Sequence, residues 1–377
     1  MSNKTKVSIA TVLTWLLLAT GSALAQTWSQ LVTGSGPTAA AWFTANYDSR
    51  NNRLVSYLPQ GGSVPSQMWV LTNANGLGGA PTWTQLQPTG SAPEDNGEST
   101  AVYDAVANQL IVYGGCSASC GSPPSSVHVL THANGLGGTP AWLQSSPTNP
   151  IAREAQSAVY DATTNSMITF GGGLAFFGTD QNDTNVLRPA NGPSPTWTTL
   201  ATAGGPPGVR EGHSAVYNSA KNTMIVFGGN NLITTCCPYN ILDYNDVWVL
   251  SNANGQGGTP TWAQLQAQGT PPSPRSQHSA VYDPSRNVMY VFGGLSWSNT
   301  TQTYTWLGDV WKLTNADGLG TAPSTWTQIG QLGTPPGGNA FQGSGFDMAD
   351  QRMIIFGGDD RSEETQFLTF ILDLKKH

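Results

Sequence analysis

A chain of 377 residues with 10% charged side chains, 44 Gly, 25 Pro and 13 Trp is rich in turns and aromatics, not in the charged residues of a disordered protein. The formal net charge is −7, and beyond the first six residues the only adjacent basic pair is Lys375-Lys376. No cationic surface is available for a phosphate backbone, which excludes nucleic acid as a partner.

The chain opens on a leader. Lys4 and Lys6 supply a positive start, Val7 to Leu18 is apolar apart from small and hydroxyl residues, and Ala23-Leu24-Ala25 ends it with small residues flanking a leucine. This is the pattern of a secretory signal cleaved after Ala25, and its apolar core is shorter than the roughly 20 residues that span a bilayer. The expected product is a secreted or periplasmic domain over 26–377, with no stable membrane span after cleavage, and lipid attachment is not indicated because no Cys stands directly after the cleavage site.

From there the sequence repeats. Ser-Ala-Val-Tyr-Asp and its variants end at Tyr47, Tyr103, Tyr160, Tyr217, Tyr282 and Phe346, at spacings of 56, 57, 57, 65 and 64. An apolar run ending in a glycine pair follows each: Leu110 to Gly115, Met167 to Gly172, Met224 to Gly229, Met289 to Gly294 and Met353 to Gly358, with a degenerate copy at Leu54 to Gly62. Third comes a strand such as Met68 to Leu71 or Val247 to Leu250, and fourth a tryptophan strand at Trp83, Trp142, Trp197, Trp262 and Trp326. Each segment is short, β-branched or aromatic, and bounded by Gly, Pro, Asn or Asp, so each reads as a strand. Four strands make one antiparallel sheet, and sheets of that size bury their faces only by stacking around an axis. The fold class is therefore all-β, a six-bladed propeller.

Counting strands predicts how the ring closes. After Gly358 only Phe367 to Leu372 remains as a strand, so the sixth tryptophan strand is missing from the C-terminus. It stands at the other end, as Trp28-Ser-Gln-Leu31. The N-terminal strand is expected to complete the last blade and leave no open edge.

The order of apolar run, Gly-Gly, aromatic strand and Trp, with Arg-x-x-His ahead of the next repeat, resembles kelch repeats over 26–374. The resemblance implies a six-bladed ring, and the family includes copper-radical sugar oxidases, sugar mutarotases, plant specifier proteins and many binding modules. With strands lettered a to d outward from the axis, it also implies that the d-to-a and b-to-c loops share one face. The c-to-d loops at 73–79, 132–138, 252–258 and 315–320 carry Asn-Gly or Asp-Gly, which selects a tight turn.

On the d-to-a and b-to-c face the candidate residues gather. One aligned column reads Ala40, Asp95, Arg153, Arg210, Arg275 and Asn339, and three residues on a second reads Phe43, Glu98, Gln156, His213, His278 and Gln342, with Glu154 and Glu211 between them. An arc of guanidinium groups suits a carboxylate ligand, while the alternative is that these Arg and His residues tie blades together. The b-to-c loops differ in every blade, and those of blade five carry Trp297, Tyr304 and Trp306, suited to stacking on a sugar or docking a protein segment. Cys116, Cys120, Cys236 and Cys237 allow three disulfide pairings, with local staples preferred, and lack the Cys-x-x-Cys spacing of zinc sites.

The leading expectation is a monomeric binding protein that engages a glycan or an extracellular protein, with no cofactor and no metal. The enzyme alternative is a carbohydrate-active protein: resemblance to kelch mutarotases implies an Arg and a carboxylate for proton transfer, for which Arg210 with Glu211, or Arg153 with Glu154, supply the residue types. Copper-radical chemistry needs two His and two Tyr ligands with one Tyr joined to Cys, and neither a Tyr-His pair nor more than five His is present.

Overall fold

The computed structural model describes residues 25–37, 42–59, 66–93, 97–115, 123–174, 180–234, 238–360 and 367–375. The leader up to residue 24, together with Asp95, Cys116, Cys120, Cys236 and Cys237, lies outside them. Among the described residues no helix is long and apolar enough to cross a membrane.

Six antiparallel sheets follow one another in chain order, each built outward as strands a, b, c and d. Blade one is Thr44–Asp48, Arg53–Leu58, Gln67–Thr72 and Thr82–Leu86, and blades two to five repeat that plan. Blade six takes Gly343–Asp347, Arg352–Phe356 and Thr369–Asp373 from the C-terminus, and its fourth strand is Gln26–Gln30 from the other end. Trp28 pairs with Leu372 and Ser29 with Ile371, as the strand count predicts.

One packing contact, repeated six times, joins the blades. The aromatic residue that ends each strand b meets the strand-d tryptophan of the next blade: Tyr57 with Trp142, Tyr113 with Trp197, Phe170 with Trp262, Phe227 with Trp326, Phe292 with Trp28 and Phe356 with Trp83, at centroid distances of 4.6 to 5.8 Å. Trp28 is 1% exposed, so the N-terminal strand contributes a full share of the core. Tilted and edge-to-face pairs of this kind add to the large area each ring buries.

The opposite mouth from the candidate face is laced by side chains. Asn75, Asn134, Asn191 and Asn254 of the c-to-d loops each donate to the aspartate that ends strand a of the preceding blade, namely Asp347, Asp48, Asp104 and Asp161. At the junction of blades four and five the two types trade places, and Asn218 donates to Asp317 at 2.9 Å. This accounts for the single Asp in the loop series. The loop glycines Gly76, Gly135, Gly255 and Gly318 sit at φ of 67 to 76°, where glycine is favoured.

Candidate functional site

The glycine pairs position the candidate face. Gly172 lies at φ 82° and its N–H donates to the carbonyl of Arg210 in the next blade at 2.9 Å, while a Cβ there would collide with the Glu154 carbonyl. Gly115, Gly229 and Gly294 make the same bond to Arg153, Arg275 and Asn339. Backbone thus holds each d-to-a loop against its neighbour.

The three arginines do not form a ligand arc. Arg210 donates through both Nη atoms to Asp246, at 2.7 and 3.0 Å, and Arg275 to Asp309, at 2.7 and 2.9 Å. Arg153 donates to Asp183 at 2.6 Å. Each aspartate immediately precedes strand c of the same blade, and Arg210 and Arg275 also donate to the Gly228 and Gly293 carbonyls beyond strand b. They clamp strands a, b and c within one blade and are 0% exposed. Burial pushes the Asp246 and Asp309 carboxyls up, but the paired guanidinium overrides it and holds both below the usual range. The carboxylates that Arg210 and Arg153 grip are thus Asp246 and Asp183, while Glu211, next to Arg210 in sequence, hydrogen-bonds Asp180.

His213 and His278 staple neighbouring blades. Nε2 of His213 shares a hydrogen bond with Ser157 at 2.8 Å, and that of His278 with Ser214 at 2.8 Å. Gln342 fills the same place with bonds to Ser279 and the Phe292 carbonyl. Burial, then the nearby Arg210, lowers His213 to about 3, and burial with Arg275 keeps His278 neutral as well.

Blade two requires a correction of register. Counting back from Tyr103 as from the other tyrosines places Ser99, not Glu98, in the His213 column. Glu98 belongs one place earlier, with Trp42, Ala155, Gly212, Gln277 and Phe341, and all six have left-handed φ between 51 and 60°. Their main chains form a belt around the channel mouth: Ala155 N–H donates to Glu98 O, Gly212 to Ala155, Gln277 to Gly212 and Phe341 to Gln277, at 2.7 to 3.1 Å. Five non-glycine residues in a conformation that costs about 1 kcal/mol or more each mark a site held open by its surroundings. Sequence comparison of the six repeats exposes this column, but nothing in its residue types signals φ.

Above the belt rise two hairpins, where the sequence predicts loops. Strands Asn230–Thr234 and Asn240–Asp243 come from blade four, and Leu295–Ser298 and Thr303–Trp306 from blade five. They lie side by side, with Asp243 accepting from Trp297 N–H at 2.6 Å and Asn299 bonding both the N–H and the carbonyl of Ile241. Trp297 packs on Tyr304 at 4.7 Å and on Tyr239 at 6.4 Å.

Hairpins and belt border a cavity of about 300 Å³, lined by the aromatic residues Trp297, Tyr304, Tyr239, Trp42 and Phe341 and by the polar residues Glu98, Glu211, Asn230, Ser276 and Gln277. A second hollow of about 170 Å³ adjoins it through Trp42, Glu98, Gln277 and Phe341, and His213 and His278 face this one. Burial, then Glu154, raises Glu98 to about 7. Burial, then Asp180, raises Glu154 to about 7. Burial with Asp180, Glu98 and Glu154 lifts Glu211 well above the usual range, and Glu211 hydrogen-bonds Asp180. The structure thus brings Glu98, Glu211 and Trp297 together with Glu154 alongside, sets His213 and His278 beneath, and turns Arg153, Arg210 and Arg275 away.

These features define a six-bladed ring with an aromatic and acidic recess at one mouth. The family model described as the KLHDC2/KLHL20/DRC7 Kelch-repeats domain matches residues 56–256, 121–313 and 240–377, and the chain belongs to the kelch-repeat family. Acyl-CoA-binding domain-containing protein 4 of Arabidopsis thaliana is 26% identical over 74% of this chain and 37% of its own length. Kelch domain-containing protein 3 of Bos taurus is 32% identical over 41% and 37%, and the Rab9 effector protein with kelch motifs of Bos taurus 27% over 58% and 54%. The chain therefore spans about a third to a half of these relatives. A chain from the cryo-EM structure of RAG in complex with one melted and one unmelted RSS superposes with a TM-score of 0.56 at 11% identity, covering 92% of this chain and 99% of that one, which shows the fold alone.

Proposed function

We propose that this kelch propeller is an exported binding protein that recognises a glycan through the cavity beneath the paired hairpins. The observation that carries the reading is the Trp297–Tyr304–Tyr239 wall, which offers ring faces at a mouth bordered by carboxyl and amide acceptors. Aromatic faces stack on the C–H faces of sugars, and the acceptors bind hydroxyl groups. Export follows from the leader read in the sequence and is part of the same proposal.

A protein segment is the second reading. Ile233 and Leu242 of the blade-four hairpin are 54% and 46% exposed on the hairpin face that alternates with the cavity-lining Leu232 and Ile241, and one relative is named an effector protein. A glycan array followed by titration separates the two. Oligosaccharide binding that falls at least about tenfold in Trp297→Ala supports the first reading. Blank arrays, or binding indifferent to Trp297→Ala, overturn it.

A further inference from the structure

We propose that the ligand of this cavity is an amino sugar with a free amine, its ring against the hairpin aromatics and its ammonium group held between Glu98 and Glu211. The inference rests on the glycan reading and narrows its ligand class.

The electrostatics of the lining point to a cation. The neighbours acting on Glu98 and Glu211 are all carboxyl groups, Glu154 on the first and Asp180, Glu98 and Glu154 on the second. Among the residues that line the cavity there is no Lys or Arg, and no described Lys or Arg forms an ion pair with Glu98 or Glu211. Burial first, and the neighbouring carboxyl groups second, disfavour the charged form of Glu98 and Glu211. A cation placed between them removes that penalty and forms charge-assisted hydrogen bonds.

A second observation asks for a donor. Asn230 is 7% exposed, lines the same cavity, and has a carboxamide oxygen without a partner. A buried acceptor left unmade costs about 1–3 kcal/mol, and an ammonium group brings three N–H donors. An N-acetyl group carries one N–H and no charge, so it leaves Glu98 and Glu211 uncompensated. The aromatic walls contribute in the same sense, since ring faces attract cations. At about 300 Å³ the cavity stands at the lower end of small-molecule sites, matched to a short segment of a sugar chain and not to a folded partner.

The test is calorimetric titration of the full chain at pH 7.5 with four probes of equal length: a glucosamine tetramer, its N-acetylated counterpart, cellotetraose and tetralysine. The glucosamine tetramer is expected to bind about tenfold or more tighter than the N-acetylated one. Glu98→Gln and Glu211→Gln should each collapse the preference for the amine, and thermal melts establish that each variant is folded. Equal binding of the three sugars overturns the amine assignment and leaves the glycan reading standing. Tetralysine bound with no sugar bound overturns the amino sugar in favour of a basic peptide. Failure of all four probes overturns the amino-sugar assignment, while the glycan reading stands or falls on the array.

Discussion

A chain that begins at Pro37 lacks the strand Gln26–Gln30 and with it the sixth copy of the contact that joins every pair of blades. The indole of Trp28 is 1% exposed against Phe292 and Leu372, and its removal alone is worth about 3–5 kcal/mol by analogy with other buried tryptophans. The deletion also breaks the ladder to Phe370–Asp373 and the flanking bonds from Gln26 N–H to Gly330 O and from Leu31 N–H to Thr369 O, at about 1 kcal/mol per bond. Together these approach the whole net stability of an ordinary domain, about 5–15 kcal/mol. Urea unfolding followed by tryptophan fluorescence should therefore show the Pro37 chain losing most of its transition, with Trp28→Ala intermediate. Trp262→Ala, which empties the same kind of contact against Phe170 inside an unbroken chain, calibrates the cost of the ring itself. A peptide covering 26–36 added in trans should restore part of the midpoint. A Pro37 chain that unfolds at the same urea concentration as one beginning at Gln26 would refute the closure argument.

Two further outcomes follow from the site. Arg275→Ala strands Asp309 without its guanidinium and should cost about 3–5 kcal/mol in chemical denaturation, yet leave ligand affinity unchanged, since Arg275 does not line the cavity. Glu98 is raised from 4.5 to about 7, so between those values the folded chain binds a proton that the unfolded chain has released, and stability is lost as pH rises through 7. Glu98→Gln should accordingly be more stable than the parent by on the order of 2 kcal/mol at pH 8, with the gain vanishing near pH 4. Neutral His213 acts in the opposite sense at lower pH but is common to both chains and cancels in the comparison.

The ring was legible because each blade repeats the same burial problem and the same residues solve it. Trp28 could be assigned to the last blade by its likeness to Trp83, Trp142, Trp197, Trp262 and Trp326 alone. The direction of the arginines was not legible, because Asp183, Asp246 and Asp309 stand 30 to 36 residues downstream across loops of unequal length. Asp246 and Asp309 do carry a local signal, an acid two residues before a tryptophan whose Nε1 it accepts from, at 2.7 and 2.6 Å. Blade two misled because acids at 95 and 98 imitate a charged column, and the tyrosine count is what puts Ser99 in its place. The hairpin of blade five is visible in the sequence as an aromatic loop, and the alternation in Leu-Ser-Trp-Ser and Thr-Tyr-Thr-Trp carries its strand character, whereas the blade-four loop offers only its cysteines.

The belt of left-handed residues has a consequence for how such a ring changes its ligand. From Glu98 to Phe341 its hydrogen bonds run between main-chain N–H and carbonyl groups, so those bonds do not depend on which side chains the positions carry. Every blade presents one residue to a common centre, and an exchange that tolerates the left-handed backbone leaves the main-chain bonds of the frame in place. Scaffold and specificity are thereby inherited separately, and six independent positions form an alphabet from which a new binding site can be spelled one letter at a time.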